Sequence, residues 1–195
     1  MTPPTLRNSN GEGGEGPLPQ TWEGIPRIVP SSWCFACDIC CRFPEKDSFL
    51  APYFTAEEIG WALREGVPAR YFSDAGGCKI ELIPYEEGYL CPCFSPEDQH
   101  CRIYAHRPLD CRIYPFALMN NPSGNRLILG IDMKCPFVED AAHQPAIAAA
   151  AETLASLFDS PPFRNLLREN PGLINRWQDD VEPLKDLGVP GSRGL

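Results

Sequence analysis

Four thiols crowd into eight residues at CFACDICC, Cys34 to Cys41, and the other six of the chain's ten cysteines fall between Cys78 and Cys135. C-x2-C steps let two sulfurs converge on one centre at Zn–S or Fe–S distance, so Cys34, Cys37 and Cys40 read as ligands of a metal ion or cluster. Cys41 adds a constraint. Neighbouring side chains point to opposite faces of a strand and lie about 100° apart on a helix. Cys40 and Cys41 are therefore expected to diverge, serving two metal centres or one polynuclear cluster.

Further along, Cys91 and Cys93 sit two apart and are expected to face one side of a strand, with Cys93 the stronger ligand candidate. Cys78 and Cys91 read equally well as small buried hydrophobes. CRIY occurs twice, at Cys101 and Cys111, as if two similar turns each presented one thiolate. Pro108 fits the start of a short helix, which places Cys111 in that helix's first turn, where free backbone N–H groups favour a thiolate. Cys135 joins the ligands just before a helix. Arg42, Arg102, Arg107 and Arg112 stand beside the thiols, and such cations can offset thiolate charge through N–H···S contacts. The three histidines, His100, His106 and His143, are not needed as ligands, because ten thiols already oversupply two four-coordinate sites.

The elements that position these groups must be short. The chain has 195 residues with 22 Pro and 16 Gly, enough for one cored domain with little room for long regular elements. Residues 1–24 are rich in Gly, Pro, Ser and Asn without periodicity and read as a disordered leader. Residues 25–178 read as the folded cysteine-cluster domain, and 179–195 as a flexible tail. Trp33 is expected to pack beside the metal site. Thr55 with Glu58 forms a capping box, so a helix is predicted near 56–65, with Glu57 and Glu58 as first-turn dipole partners and Gly66 as its left-handed end. CKIELIP and YLCPCF read as a β-hairpin. Tyr114 before Pro115 is expected to be extended, and RLILGID reads as a strand. A helix is predicted from about Val138 to Phe158, entered or kinked near Pro145 and covering the metal-bearing loops, and FRNLLREN as a last helix ended by Pro171. The fold class expected is α+β, small and irregular, with short strands, several helices and disordered termini.

Net charge −9 and a sequence pI near 4.8 disfavour a nucleic-acid partner, which needs a clustered basic face, and an anionic membrane surface. No charged start with an apolar run opens the sequence, and no stretch approaches 18 consecutive apolar residues, so a cytoplasmic location is expected. In a reducing compartment clustered cysteines point to metal rather than to structural disulfides.

The combination CFACDICCR, CPCF, CRIYAHRPLDCRIYPF and a late Cys before a helix resembles the YkgJ-like family of cysteine-cluster proteins, zinc- or iron-chelating domains named for a CxxCxxCC motif. The resemblance covers Trp33 to Phe137. It places the family cysteines on Cys34, Cys37, Cys40, Cys41, Cys93, Cys101, Cys111 and Cys135, leaving Cys78 and Cys91 without counterparts. It implies a bound metal, zinc or iron, with iron held as an iron–sulfur cluster as the alternative. A similar motif occurs in the longer flagellin lysine N-methylases, but no glycine-rich methyl-donor loop and no CxxxCxxC is present here. Three classes of function follow: a closed thiolate metal site, an iron–sulfur redox protein with a remote fourth cysteine, and part of a protein-modifying system. No catalytic residue, substrate or protein partner is legible.

Overall fold

The computed structural model describes residues 24–35 and 37–189, so the expected leader lies outside the described residues except at Gly24. The first motif forms only short helical turns. After Pro30 a single turn, α1 (Ser31–Cys34), leads through Cys37 to a 3-10 turn over Ile39–Cys41 and a two-residue strand, β1 (Arg42–Phe43). Next come β2 (Tyr53–Thr55) and α2 (Ala56–Arg64), the helix predicted from the capping box. Thr55 Oγ1 accepts from Glu58 N and Glu58 Oε2 accepts from Thr55 N, which satisfies two otherwise orphaned donors. Gly66 follows at φ +88°, the left-handed conformation that lets the chain leave the helix.

The hairpin turns where expected, between CKIELIP and YLCPCF, but only the residues next to the turn pair in it. Gly77–Lys79 forms β3, which pairs antiparallel with β2, while the hairpin consists of β4 (Ile83–Tyr85) and β5 (Gly88–Leu90), closed by Glu86 and Glu87 and extended by β1 on the far side of β5. Cys91 and Cys93 therefore fall in a turn after β5, with Phe94 N donating to Cys91 O at 2.9 Å, and not on a strand face. The local reason is Pro92, which has no N–H to give to a ladder.

Two short strands, β6 (Phe94–Ser95) and β7 (His100–Cys101), close the next loop, and α3 (Leu109–Ile113) starts directly after Pro108 with Cys111 inside it. Tyr114 is extended before a cis Pro115, as a residue preceding proline prefers. β8 (Phe116–Asn120) and β9 (Leu127–Asp132) follow, then a one-turn α4 (Pro136–Glu139) capped by Cys135. The alanine-rich stretch begins its helix at Pro145's turn, as α5 (Gln144–Asp159), and α6 (Pro161–Glu169) ends before Pro171. β10 (Val181–Asp186) completes an antiparallel sheet of order β10-β9-β8. That strand corrects the expectation of a flexible tail from 179. Val181 is buried among Met119 and Ile128, and β9 is hydrophobic on both faces, so it needs a neighbour on each edge.

The chain is thus α+β, with short helices and small antiparallel sheets. Two hydrophobic cores organise it. One packs α3 to α6 on the β8–β9–β10 sheet around Leu118, Leu129, Leu154 and Phe158. The other gathers Phe43, Phe54, Ile59, Ala62, Ile80 and Ile103 around α2. Glu58, fully buried, bridges them: its Oε1 accepts from Leu109 N, at the head of α3, at 2.6 Å. Among the described residues no helix is long and apolar enough to cross a membrane.

Candidate metal centre

The thiols meet at the seam between the two cores. Cys34 packs against the first core, Cys41, Cys91, Cys93 and Cys101 belong with the second, and Cys111 rides on α3, which is anchored by Leu109 and Ile113. Eight sulfur-bearing residues from four stretches line one cavity of about 60 Å³: Cys34, Cys37, Cys40, Cys41, Cys91, Cys93, Cys101 and Cys111. Backbone bonds tie these stretches together. Cys91 N donates to Cys41 O at 2.9 Å, and Arg102 N donates to Cys93 O at 2.8 Å. The ligand loops thereby fix one another without long strands between them.

Seven of the eight cysteines expected as ligands are on this wall. The exception is Cys135, buried in the first core as the residue that starts α4, with Cys40 and Cys37 acting on its charge from nearby. Cys91, taken as equally a buried hydrophobe, is on the wall. The signal that could have found it is its C-x-C spacing to Cys93 across a proline, which favours a turn that can aim both sulfurs inward. Cys78 sits on β3 opposite Phe54 and packs with the second core, away from the cavity. The expected divergence of Cys40 and Cys41 is not seen. Their sulfurs lie 4.0 Å apart, although both residues sit in the 3-10 turn Ile39–Cys41.

Burial governs the electrostatics. It pushes the Cys111 thiol far up, Cys101 up to about 12 and Cys135 up to about 11, since a thiolate loses its hydration there. Within the close pairs the sulfurs share a proton unequally. Cys40 is the more acidic member because the Cys41 thiol donates to it and Arg107 faces it, and Cys91 is acidified by the Cys93 thiol in the same way. No three His, Cys, Asp or Glu side chains among the described residues form a ready-made coordination polyhedron.

The residues fit a metal group all the same. The cavity has room for roughly two waters, at the ~30 Å³ that one water takes. That suits a few metal ions or a small cluster and is far below the ~300 Å³ of an organic-ligand pocket. Tyr104 Oη and Arg107 Nε, both on this wall, are buried with no hydrogen-bond partner, as donors awaiting an acceptor would be. Of the four arginines, Arg42 is engaged outside by Asp38 and by Glu86 at 2.7 Å, and Arg102 is exposed. Arg112 donates to Arg107 O at 2.7 Å and Ala105 O at 2.5 Å. Trp33 is partly exposed and packs on Phe137 and His143 rather than on the thiols, and α5 lies against α6 and β10 rather than over the metal loops. No histidine lines the cavity: His106 pairs with Glu65 at 3.0 Å, His143 stacks on Phe137 at 3.8 Å, and His100 lies against Phe35.

A second cavity of about 400 Å³ adjoins the first through Cys40, Cys111 and Tyr114, with Asp110, Asp132 and Gln178 on its wall. Cys40 is the one exposed cysteine among the described residues, so it is the sulfur reachable from this side.

A family model, CxxCxxCC, described as a "putative zinc- or iron-chelating domain", matches residues 33–136, which contain all the thiols discussed above. No curated protein and no solved structure matches the chain significantly. The match runs over more than half of the sequence, from the residue before Cys34 to the residue after Cys135, and the chain belongs to the CxxCxxCC family of zinc- or iron-chelating domains.

Proposed function

We propose that this chain chelates zinc or iron in a polynuclear thiolate centre at the seam of its two cores. The observation that carries the reading is the convergence of eight thiols from four separate stretches on one small cavity. A single four-coordinate ion uses half of them, so a centre of more than one metal atom accounts for the wall better than a lone tetrahedral site. When bound, the metal supplies soft Lewis acidity that replaces the thiol protons and, if iron with sulfide, one-electron redox chemistry.

The protein's own part is positional. The Cys41–Cys91 and Cys93–Arg102 backbone bonds hold the ligand turns at fixed separation. Cys93 and Cys91, both buried, exclude water from the floor of the site, while Cys40 faces the adjoining cleft. The iron–sulfur form is the second reading. It is favoured by the Cys40–Cys41 sulfur separation of 4.0 Å, which lets adjacent cysteines bind adjacent metal atoms of one cluster. A cytoplasmic location agrees with both, since free thiols persist in a reducing compartment. The cleft beside Cys40 leaves room for a part in modifying another molecule.

Metal analysis with a visible absorption spectrum on anaerobically purified protein decides between them. Brown protein with iron and acid-labile sulfide selects the cluster, and colourless protein with more than one zinc per chain selects the zinc centre. Protein that takes up neither metal overturns the proposal.

A further inference from the structure

Arg107 is a half-buried cation whose Nε is buried and which has no carboxylate beside it. Its side chain lines the thiol cavity, its guanidinium carbon lies 3.9 Å from the centroid of the Tyr104 ring, and its Nε has no hydrogen-bond partner. None of the ion pairs among the described residues includes it. A guanidinium stays charged under any ordinary condition and is expensive to keep from water unless an anion or an array of acceptors meets it. Tyr104 supplies only a ring face. Among the other groups that act on its charge are Cys111, Cys34, Cys101 and Cys40, four thiols of the same wall, and the like charge of Arg112.

Of the other arginines near the motif, Arg42 is engaged by Asp38 and Glu86, Arg112 by backbone carbonyls, Arg102 is exposed, and Arg27 lies on the same wall with its guanidinium carbon 5.6 Å from the Tyr104 ring centroid. Of the three arginines that line the cavity, Arg27, Arg107 and Arg112, Arg107 is the one whose Nε is buried with no hydrogen-bond partner, an N–H free to give. Metal ligation requires thiolates, so a cavity with more thiolates than its metal ions can neutralise is net negative. Such a cavity provides the anion that this arginine lacks.

Resting on the metal-centre reading above, we propose that Arg107 is the positioning residue of the loaded centre, its counter-charge and N–H donor, and that the centre carries net negative charge when filled. Arg107 then selects a thiolate-rich filling, since it stabilises excess negative charge and disfavours a neutral or cationic one. The role is one of affinity and charge, exerted through the sulfurs, with no contact to the metal required.

The test is Co2+ and Zn2+ affinity of the full chain, measured by competition with a chelator and read from the thiolate-to-Co2+ charge-transfer band, for wild type, Arg107→Lys and Arg107→Gln. The charge-removing Arg107→Gln is expected to bind about 10–100-fold more weakly, the range found when an outer partner of a metal ligand is lost, and to shift the charge-transfer band. Arg107→Lys, which keeps the charge and fits the space, should recover most of the affinity. Arg107→Gln binding as wild type, or Arg107→Lys as weak as Arg107→Gln, overturns the proposal while leaving the metal centre standing. A wild type that binds neither Co2+ nor Zn2+ overturns the metal centre itself.

Discussion

A sulfur contributes to chelation only where the backbone aims it at other sulfurs, and the two cysteines that the family pattern leaves out differ in that respect. Cys91 is held by its N–H to Cys41 O and faces the shared cavity, whereas Cys78 is fixed by strand pairing with Phe54 and faces apolar side chains. Cys91→Ser is therefore expected to lower bound metal per chain as far as Cys93→Ser does. Cys78→Ser should leave the metal content unchanged and cost about 1 kcal/mol of stability from a hydroxyl placed among hydrophobes. Equal metal content in the Cys91→Ser protein and wild type would remove Cys91 from the wall's function. Accessibility separates the thiols a second time. Cys40, exposed and acidified, should be the first described cysteine alkylated by iodoacetamide in metal-free protein, and protected once metal is bound. Peptide mapping of the first modified residue checks this.

At the scale of the element, one carboxylate joins the helix that packs the second core to the helix that carries Cys111. Glu58 accepts from Thr55 N at 2.8 Å and from Leu109 N at 2.6 Å, fully buried, and that burial raises its carboxyl to about 7 against the opposing pull of the two N–H donors. The folded state thus holds a proton that the unfolded state, with an ordinary glutamate, releases. Stability contributed by that proton is complete below about pH 4.5 and lost as pH rises through about 7, a difference of about 3 kcal/mol. Glu58→Gln should be less stable at pH 5, having one acceptor for two donors, and should lose less stability than wild type between pH 5 and 8 in urea unfolding. Parallel pH dependence in both proteins refutes this assignment. Gly130 makes a second demand at this scale. A Cβ there would meet Val181 Cγ1 at 2.5 Å and Glu182 O at 3.0 Å, so Gly130→Ala is expected to push β10 off β9 and cost about 1–3 kcal/mol, read as a lower urea midpoint.

These elements also show what a sequence can carry. The capping box Thr55–Glu58, the helix after Pro145 and the hydrophobic strand at Leu127 are local signals, and each lies where the pattern placed it. The thiol wall was legible as a set of residue types at close spacing, with seven of eight positions on it. That Cys91 is on the wall and Cys135 is not was not legible, because a turn around Pro92 and a helix start at Pro136 place those residues. The tertiary bond from Glu58 to Leu109 depends on a partner far along the chain, so no local pattern announces it. β10 was missed for the same reason: its residues alternate poorly, and β9 selects them as a neighbour.

For the molecule as a whole, the position of the cavity between two unequal cores sets how metal and folding are linked. Among the described residues the core on the β8–β9–β10 sheet has 21 buried members and the core around α2 has 11, two of them Cys91 and Cys93. A small core is marginal by itself, and this one owes part of its interior to sulfurs that metal would draw together. In the proposed centre, chelation would couple the weaker half to the stronger one through Cys34 and Cys111 on one side and Cys41, Cys93 and Cys101 on the other. Stripping the metal with a chelator is expected to raise amide hydrogen exchange first in residues 41–103, while β8 and β9 keep most of their protection, because local opening follows the least stable cooperative unit. The thermal transition should broaden or split in parallel, with the lower step absent from the loaded protein. Exchange that rises uniformly over both cores would show a single cooperative unit, and exchange unchanged by metal removal would place the metal outside the folding of either half.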